Sequence, residues 1–147
     1  MYNHLLVAVD GSKLSAKAVM HAIGLARAVG ASLTAFHASP GYPTPVYADG
    51  FAHAPMTRKE YNALCAKEAD RILKPISVEA QEAGLECKPV HVIADAPWEA
   101  ILAAARKYKC DAIVMASHGR RGVSAFLLGS ETQKVLTHSK LPVLVVR

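Results

Sequence analysis

Short apolar runs alternate with longer amphipathic ones along the whole chain. Leu5-Leu6-Val7-Ala8-Val9 is continuously apolar and ends at Asp10-Gly11-Ser12, the pattern of a strand covered on both faces. Ser12 to Val29 predicts a helix, with Leu14, Ala18, Ala22, Leu25 and Val29 at helical spacing and Lys13, Lys17 and Arg27 on another face. Ser12 suits its N-cap and Gly30 its stop. Ala31–Ala38 reads as a second strand. Three prolines and a glycine between Ser39 and Pro45 exclude helix or central strand there, and a long loop to Met56 is expected.

Thr57-x-x-Glu60 is a capping box opening a second helix, whose buried stripe is Tyr61, Cys65, Ala69, Ile72, Ile76, Ala80 and Ala83. Pro75 predicts a kink near residues 71–75, and Gly84 the end. Leu85–Ile93 reads as an edge strand, because it carries Lys88 and Pro89. Asp95 is the expected N-cap of a third helix that buries Trp98, Ile101, Leu102 and Ala105. Cys110–Ala116 is a fourth strand, followed by a glycine- and arginine-bearing loop from Ser117 to Leu128. Ser130-x-x-Gln133 reads as a second capping box, for a helix through His138, and Leu141–Val146 as a last strand. This βαβαβαβαβ order predicts an α/β fold with a parallel sheet, right-handed crossovers and helices on both faces. Ligands of such sheets sit at the carboxyl ends of the strands, which selects Asp10-Gly11-Ser12, the Ala38–Met56 loop and Ala116–Ser130.

Charge sharpens this picture. The 147 residues carry a net +5. Residues 1–105 hold nine Lys+Arg against ten Asp+Glu, whereas residues 106–147 hold eight against only Asp111 and Glu131. An excess confined to the last third suggests an anionic ligand there. It does not suggest nucleic acid, because the interleaved aromatics of a single-strand binder are missing. Cys65, Cys87 and Cys110 form no C-x-x-C and read as reduced thiols. With no signal-peptide pattern and no apolar stretch long enough to span a bilayer, a cytoplasmic protein without membrane contact is expected.

Neither G-x-x-x-x-G-K-[ST] nor a G-x-G-x-x-G after the first strand is present. The informative segment is Ala116-Ser117-His118-Gly119-Arg120-Arg121-Gly122, continuing to Leu128-Gly129-Ser130. Glycines allow close backbone approach, and a helix opening at Gly129-Ser130 is an anion site by its free N–H groups and dipole. This describes a phosphate cradle as well as it describes a glycine turn with solvated arginines. Arg120 and Arg121 either clamp phosphate or are solvated. Ser117 and His118 are adjacent in sequence, and such neighbours rarely point at each other, so no nucleophile–base pair is expected. The other histidines show no metal-ligand spacing.

Leu6-Val7-Ala8-Val9-Asp10-Gly11-Ser12, Ala112-Ile113-Val114-Met115-Ala116-Ser117-His118-Gly119, Leu127-Leu128-Gly129-Ser130 and Leu141–Val146 together resemble the universal stress protein family over essentially the whole chain. Its ATP-binding members show Gly, two residues, Gly, nine residues, then Gly-Ser or Gly-Thr. Gly119 and Gly129-Ser130 match, whereas Ala116 replaces the first glycine. The resemblance implies one Rossmann-like domain over residues 1–147, an adenine nucleotide alpha hydrolase-like three-layer sandwich. Its five-stranded parallel sheet would have the order 3-2-1-4-5 and four flanking helices.

It further implies ATP with Mg²⁺ or Mn²⁺. Ala8, Val9, Asp10 and Ala38 would lie on the adenine and ribose side, with Met115, Ala116 and His118 beside the nucleotide. Gly119, Arg120, Gly129, Ser130 and the N–H of Glu131 would stand at the phosphates, with the phosphate-bound ion near Asp10. A homodimer through Val143, Leu144, Val145 and Val146 is implied as well, and the apolar end strand makes the same suggestion. The expected role is a nucleotide-dependent switch or sensor. No residue looks placed to activate a water, so hydrolysis would be slow or absent. The alternative is a dimeric interaction module in which Ala116 marks a lost nucleotide site.

Overall fold

A computed structural model describes residues 1–53, 56–119 and 128–147. The elements in chain order are β1 (His4–Ala8), α1 (Lys13–Val29), β2 (Ser32–Ser39), β3 (Val46–Ala48), β4 (Phe51–His53), α2 (Arg58–Glu82), β5 (Cys87–Ile93), α3 (Pro97–Lys107), β6 (Ala112–Ala116), α4 (Ser130–His138) and β7 (Val143–Val146). A five-stranded parallel sheet runs β5-β2-β1-β6-β7. Counted among the sheet's own strands this is 3-2-1-4-5; the labels differ from the expected ones because the β3–β4 hairpin intervenes.

That hairpin is a correction to the expected loop. Asp49 and Gly50 have φ of 52° and 78°, the left-handed pair of a two-residue turn that twists its strands correctly. Val46 pairs with His53 and Ala48 with Phe51 across it. The prolines stop at Pro45, just before the first strand residue, and leave the ladder intact.

Alternation along the strands divides the core in two. Leu5, Val7, Leu33, Ala35 and Val114 pack with buried residues of α1 and α2. Leu6, Phe36, Ile113 and Met115 pack with Ile101, Leu102, Ala105 and Val135 of α3 and α4. Buried central strands explain why β1 and β6 read as continuous apolar runs. In α1 the buried stripe is Ser15, Ala18, Val19, Ala22, Ile23 and Ala26; Val29, expected on it, is exposed.

Helix ends follow local chemistry where the cap lies in the same segment. Ser12 caps α1 by accepting from the Ser15 N–H, and Gly30 closes it at φ 71°. Thr57 and Glu60 form the reciprocal capping box of α2, which continues through Pro75. Two expected caps are different. Pro97 takes the first position of α3, so Ala96, which has no capping side chain, is the N-cap instead of Asp95. In α4 the N-cap is Gly129, and Ser130 is the first helical residue, so the Ser130–Gln133 box does not form. Gln133 Nε2 instead donates to the Leu128 carbonyl. Among the described residues no helix is long and apolar enough to cross a membrane.

Candidate functional site

The chain leaves β1 through α1 toward β2 on one side, and later places β6 on the other side of β1. The β1–β6 boundary is therefore the switch point, where the loops leaving adjacent strands diverge and open a crevice. Asp10 follows β1 and Gly119 follows β6 at this crevice. Asp10 Oδ1 accepts the Ser12 N–H at 2.9 Å, a side-chain turn that fixes the carboxylate just before α1. Its Oδ2 sits where a Gly119 side chain would begin. Any side chain at position 119 would have to displace the Asp10 carboxylate from that space.

Gly129 is constrained in the same way. Its N–H donates to the Ser117 carbonyl at 2.7 Å, and an added Cβ would stand 3.1 Å from His118 Cα. Thr132 Oγ1 donates to the Ala116 carbonyl at 3.0 Å. The first turn of α4 is thus tied to the end of β6, with Ser130 exposed and Glu131 half-buried at the helix N-terminus. The end of β6 is held from its other side as well, because the Ser117 N–H donates to the Val146 carbonyl at 2.7 Å.

The structure separates the expected site residues into two groups. Asp10, Gly119, Gly129, Ser130 and Glu131 stand at the carboxyl end of the sheet, and His118 is half-buried beside them. Ala8, Val9, Met115 and Ala116 are buried in the two cores, so only their backbones can face a ligand. Ala38 is half-buried near the end of β2. Arg120 and Arg121, with Gly122, lie outside the described residues. Ala116 is extended in β6, paired with Val146, and its methyl joins the α1-side core.

Four contacts here were not foreseen. Ser117 Oγ and His118 Nδ1 share a hydrogen bond at 3.2 Å, although neighbouring side chains were expected to diverge. Ser117 is buried, a poor position for a nucleophile. Glu131 Oε2 accepts the Trp98 N–H at 2.8 Å, so α4 supplies the cap that α3 lacks. Its other oxygen meets Lys134 at 3.3 Å. Trp98 in turn stacks on His138 at the far end of α4, ring centroids 4.7 Å apart.

A histidine pair sits toward the same end, on β2 and β5. His37 Nδ1 bonds the Val9 carbonyl at 2.8 Å; a carbonyl only accepts, so Nδ1 carries the proton. His37 is buried and stacks on its strand partner His91, centroids 5.9 Å apart. His91 Nε2 bonds Ser39 Oγ at 2.8 Å. Burial, then the neighbouring His37, lowers the His91 pKa, against a smaller opposing effect of Asp70. Beyond β2, Tyr61 Oη donates to the Pro40 carbonyl at 2.6 Å, and the Asp95 carboxylate fills the space where a Gly41 side chain would begin. Among the described residues no group of three His, Cys, Asp or Glu can hold a metal ion. All three cysteines are free; burial raises the pKa of Cys87 and Cys110 and keeps both as thiols.

The Universal stress protein family profile matches residues 1–147. Universal stress protein YxiE of Bacillus subtilis (strain 168) is 33% identical over 149 residues, covering 100% of both chains. The solved structure of hypothetical protein MJ0577 has a TM-score of 0.80 at 25% identity, over 99% of this chain and 96% of that one. A universal stress protein crystallised in complex with cAMP has a TM-score of 0.71 at 28% identity, over 99% and 97% of the two chains. With the sheet order and the Gly119 and Gly129-Ser130 framework in place, this full-length match shows that the chain belongs to the universal stress protein family.

Proposed function

We propose that this chain is a single universal stress protein domain that binds ATP at the β1–β6 crevice and acts in the cytoplasm as a nucleotide-dependent switch or sensor. The observation that carries the reading is the joining of Asp10, Gly119 and the N-terminus of α4 at the switch point. Free N–H groups at a helix start favour phosphate. The similar universal stress protein crystallised with cAMP binds an adenine nucleotide, which supports the same ligand class here. Ala116 does not favour the alternative of a lost site: it is extended, buried and satisfied by its neighbours. The Glu131 carboxylate is engaged by Trp98 and Lys134, which leaves its N–H as its contribution to the cradle.

The residues present fit a cation held chiefly by the nucleotide. Mg²⁺ is commonly bound by one or two carboxylates plus phosphates and waters, and Asp10 is the carboxylate at the crevice. Mg²⁺ or Mn²⁺ bound there would supply charge neutralisation for the phosphates. Asp10, oriented by the Ser12 N–H, would contribute to holding the ion. Hydrolysis is slow or absent in this reading, since Ser117, the serine hydrogen-bonded to His118, is buried.

Mass spectrometry of gently purified, then denatured protein tests the ligand: ATP is expected. Its absence, together with no calorimetric binding of Mg·ATP, overturns the reading. The dimer belongs to the same proposal. β7 is an edge strand whose Leu144 is 43% exposed, and pairing across a two-fold axis would cover it. Val145→Glu is expected to give monomers by sedimentation velocity; an unchanged profile refutes pairing through β7.

A further inference from the structure

The other end of the sheet carries a second charged feature. At the amino ends of β1, β2 and β5, His4, Ser32, Leu33, Glu86, Lys88, Lys107, Tyr108 and Lys109 line a cavity of about 350 Å³. Lys88 comes from β5, Lys107 from the last turn of α3, and Lys109 from the residue after its cap. Two of these ammonium groups share one aromatic ring: Lys88 Nζ is 4.7 Å and Lys107 Nζ 5.5 Å from the Tyr108 centroid.

Ion pairs do not explain the cluster. Among the described residues the lysine and arginine ion pairs are Arg71–Glu68, Lys74–Asp70 and Lys134–Glu131, and none involves Lys88, Lys107 or Lys109. Glu86 is the one carboxylate in the lining. The dipole of α3 accounts for a cation in its last turn, hence for Lys107. It does not account for Lys88, which comes from β5. A tyrosine ring attracts ammonium groups by its quadrupole and so can hold two of them close despite their repulsion. Arg106, Lys107 and Lys109 also belong to the basic last third of the chain, so part of that excess lies at the end of the sheet opposite the nucleotide crevice.

We infer that this cavity is a second anion site, separate from the β1–β6 crevice, for a compact multivalent phosphate. The volume is at the small end of ligand pockets, which run from about 300 Å³ upward, and fits a short phosphate chain. Lys88, Lys107 and Lys109 provide the charge. His4 and Ser32 line the cavity on β1 and β2, where His4 Nε2 is engaged by Thr34 Oγ1 and Ser32 Oγ donates to the Asn3 carbonyl. Ammonium groups are point charges without the fixed fork of arginine, so the site selects charge density over shape.

The test is a ¹H–¹⁵N NMR titration of the full chain with sodium tripolyphosphate at about 0.15 M NaCl, where long-range attraction is screened. Saturable shifts are expected at the amides of residues 86–88 and 107–110, with a Kd of about 1 mM or below. They should persist in Gly119→Val, which blocks the other end, so failure here is distinguishable from failure of the nucleotide proposal. The double variant Lys88→Gln/Lys107→Gln should weaken binding about tenfold or more, while its spectrum confirms the fold. A parallel titration with a phosphoserine peptide separates a free phosphate chain from a phosphorylated polypeptide: equal or tighter peptide binding assigns the site to the polypeptide and overturns the compact ligand. Non-saturating shifts, or a Kd unchanged in the double variant, overturn the site itself.

Discussion

At the carboxyl ends of β1 and β6 the described residues at the crevice include two glycines, a serine and an aspartate held by its own turn. At the amino ends of β1, β2 and β5 they include three lysines, two of them on the ring of Tyr108, and Glu86. The first end has little room to adjust, because each glycine is pressed against Asp10 or His118 and the α4 N-terminus is tied to β6. The second is made of long side chains with many rotamers. Oriented backbone donors cost little to organise when a ligand arrives, whereas lysines must give up side-chain freedom. The contrast teaches that a rigid, glycine-framed end and an adaptable, charge-rich end stand at opposite ends of one sheet.

The contrast can be broken most severely at Gly119. Gly119→Val puts a branched side chain where the Asp10 carboxylate sits, and nucleotide affinity measured by calorimetry should fall about a hundredfold or more. Unchanged affinity would show that the crevice is not the phosphate cradle. Salt separates the ends next. Raising NaCl from about 0.05 to 0.5 M should weaken tripolyphosphate binding at the lysines about tenfold. Nucleotide binding through backbone donors should weaken less, and equal losses would erase the distinction. A smaller effect is expected at Glu131. Glu131→Ala removes the trans cap of α3 and should cost about 1 kcal/mol in urea unfolding, with faster hydrogen exchange at the Trp98 amide.

The smallest effect concerns acid. The folded state keeps the His91 pKa below its ordinary value, so the unfolded chain binds more protons there. Stability from this group is complete above the ordinary histidine range and is lost as pH falls through it and then through the lowered value. His91→Gln should flatten that part of the pH–stability curve; an unchanged acid limb would place the sensitivity elsewhere.

How much of this was legible in the sequence depended on distance along the chain. Ser12, Gly30 and the Thr57–Glu60 box were readable because a cap and its helix share one short segment. The edge position of β5 was readable because Pro89 and Lys88 suit an unpaired flank. The cap of α3 was not, because it comes from Glu131, 33 residues beyond Trp98. Asp95 was the local candidate, but Pro97 set the helix start one residue later than a cap at Asp95 would allow. The β3–β4 hairpin had a signal, Asp49-Gly50 between two short apolar runs, and the prolines upstream obscured it. Gly119 and Gly129 were singled out for close approach of a ligand, whereas the close atoms in the structure are the protein's own. Neither close contact could be inferred before the strands were ordered.

The Glu131–Trp98 bond has a practical side. Trp98 is the only tryptophan in the chain, so all indole emission arises at the seam between α3 and α4. Its backbone is fastened to the first turn of α4 and its ring lies against His138 at the other end of that helix. Any displacement of α4 relative to α3 changes what surrounds this one fluorophore. The unlabelled protein thus carries its own optical gauge of the helix that opens the crevice.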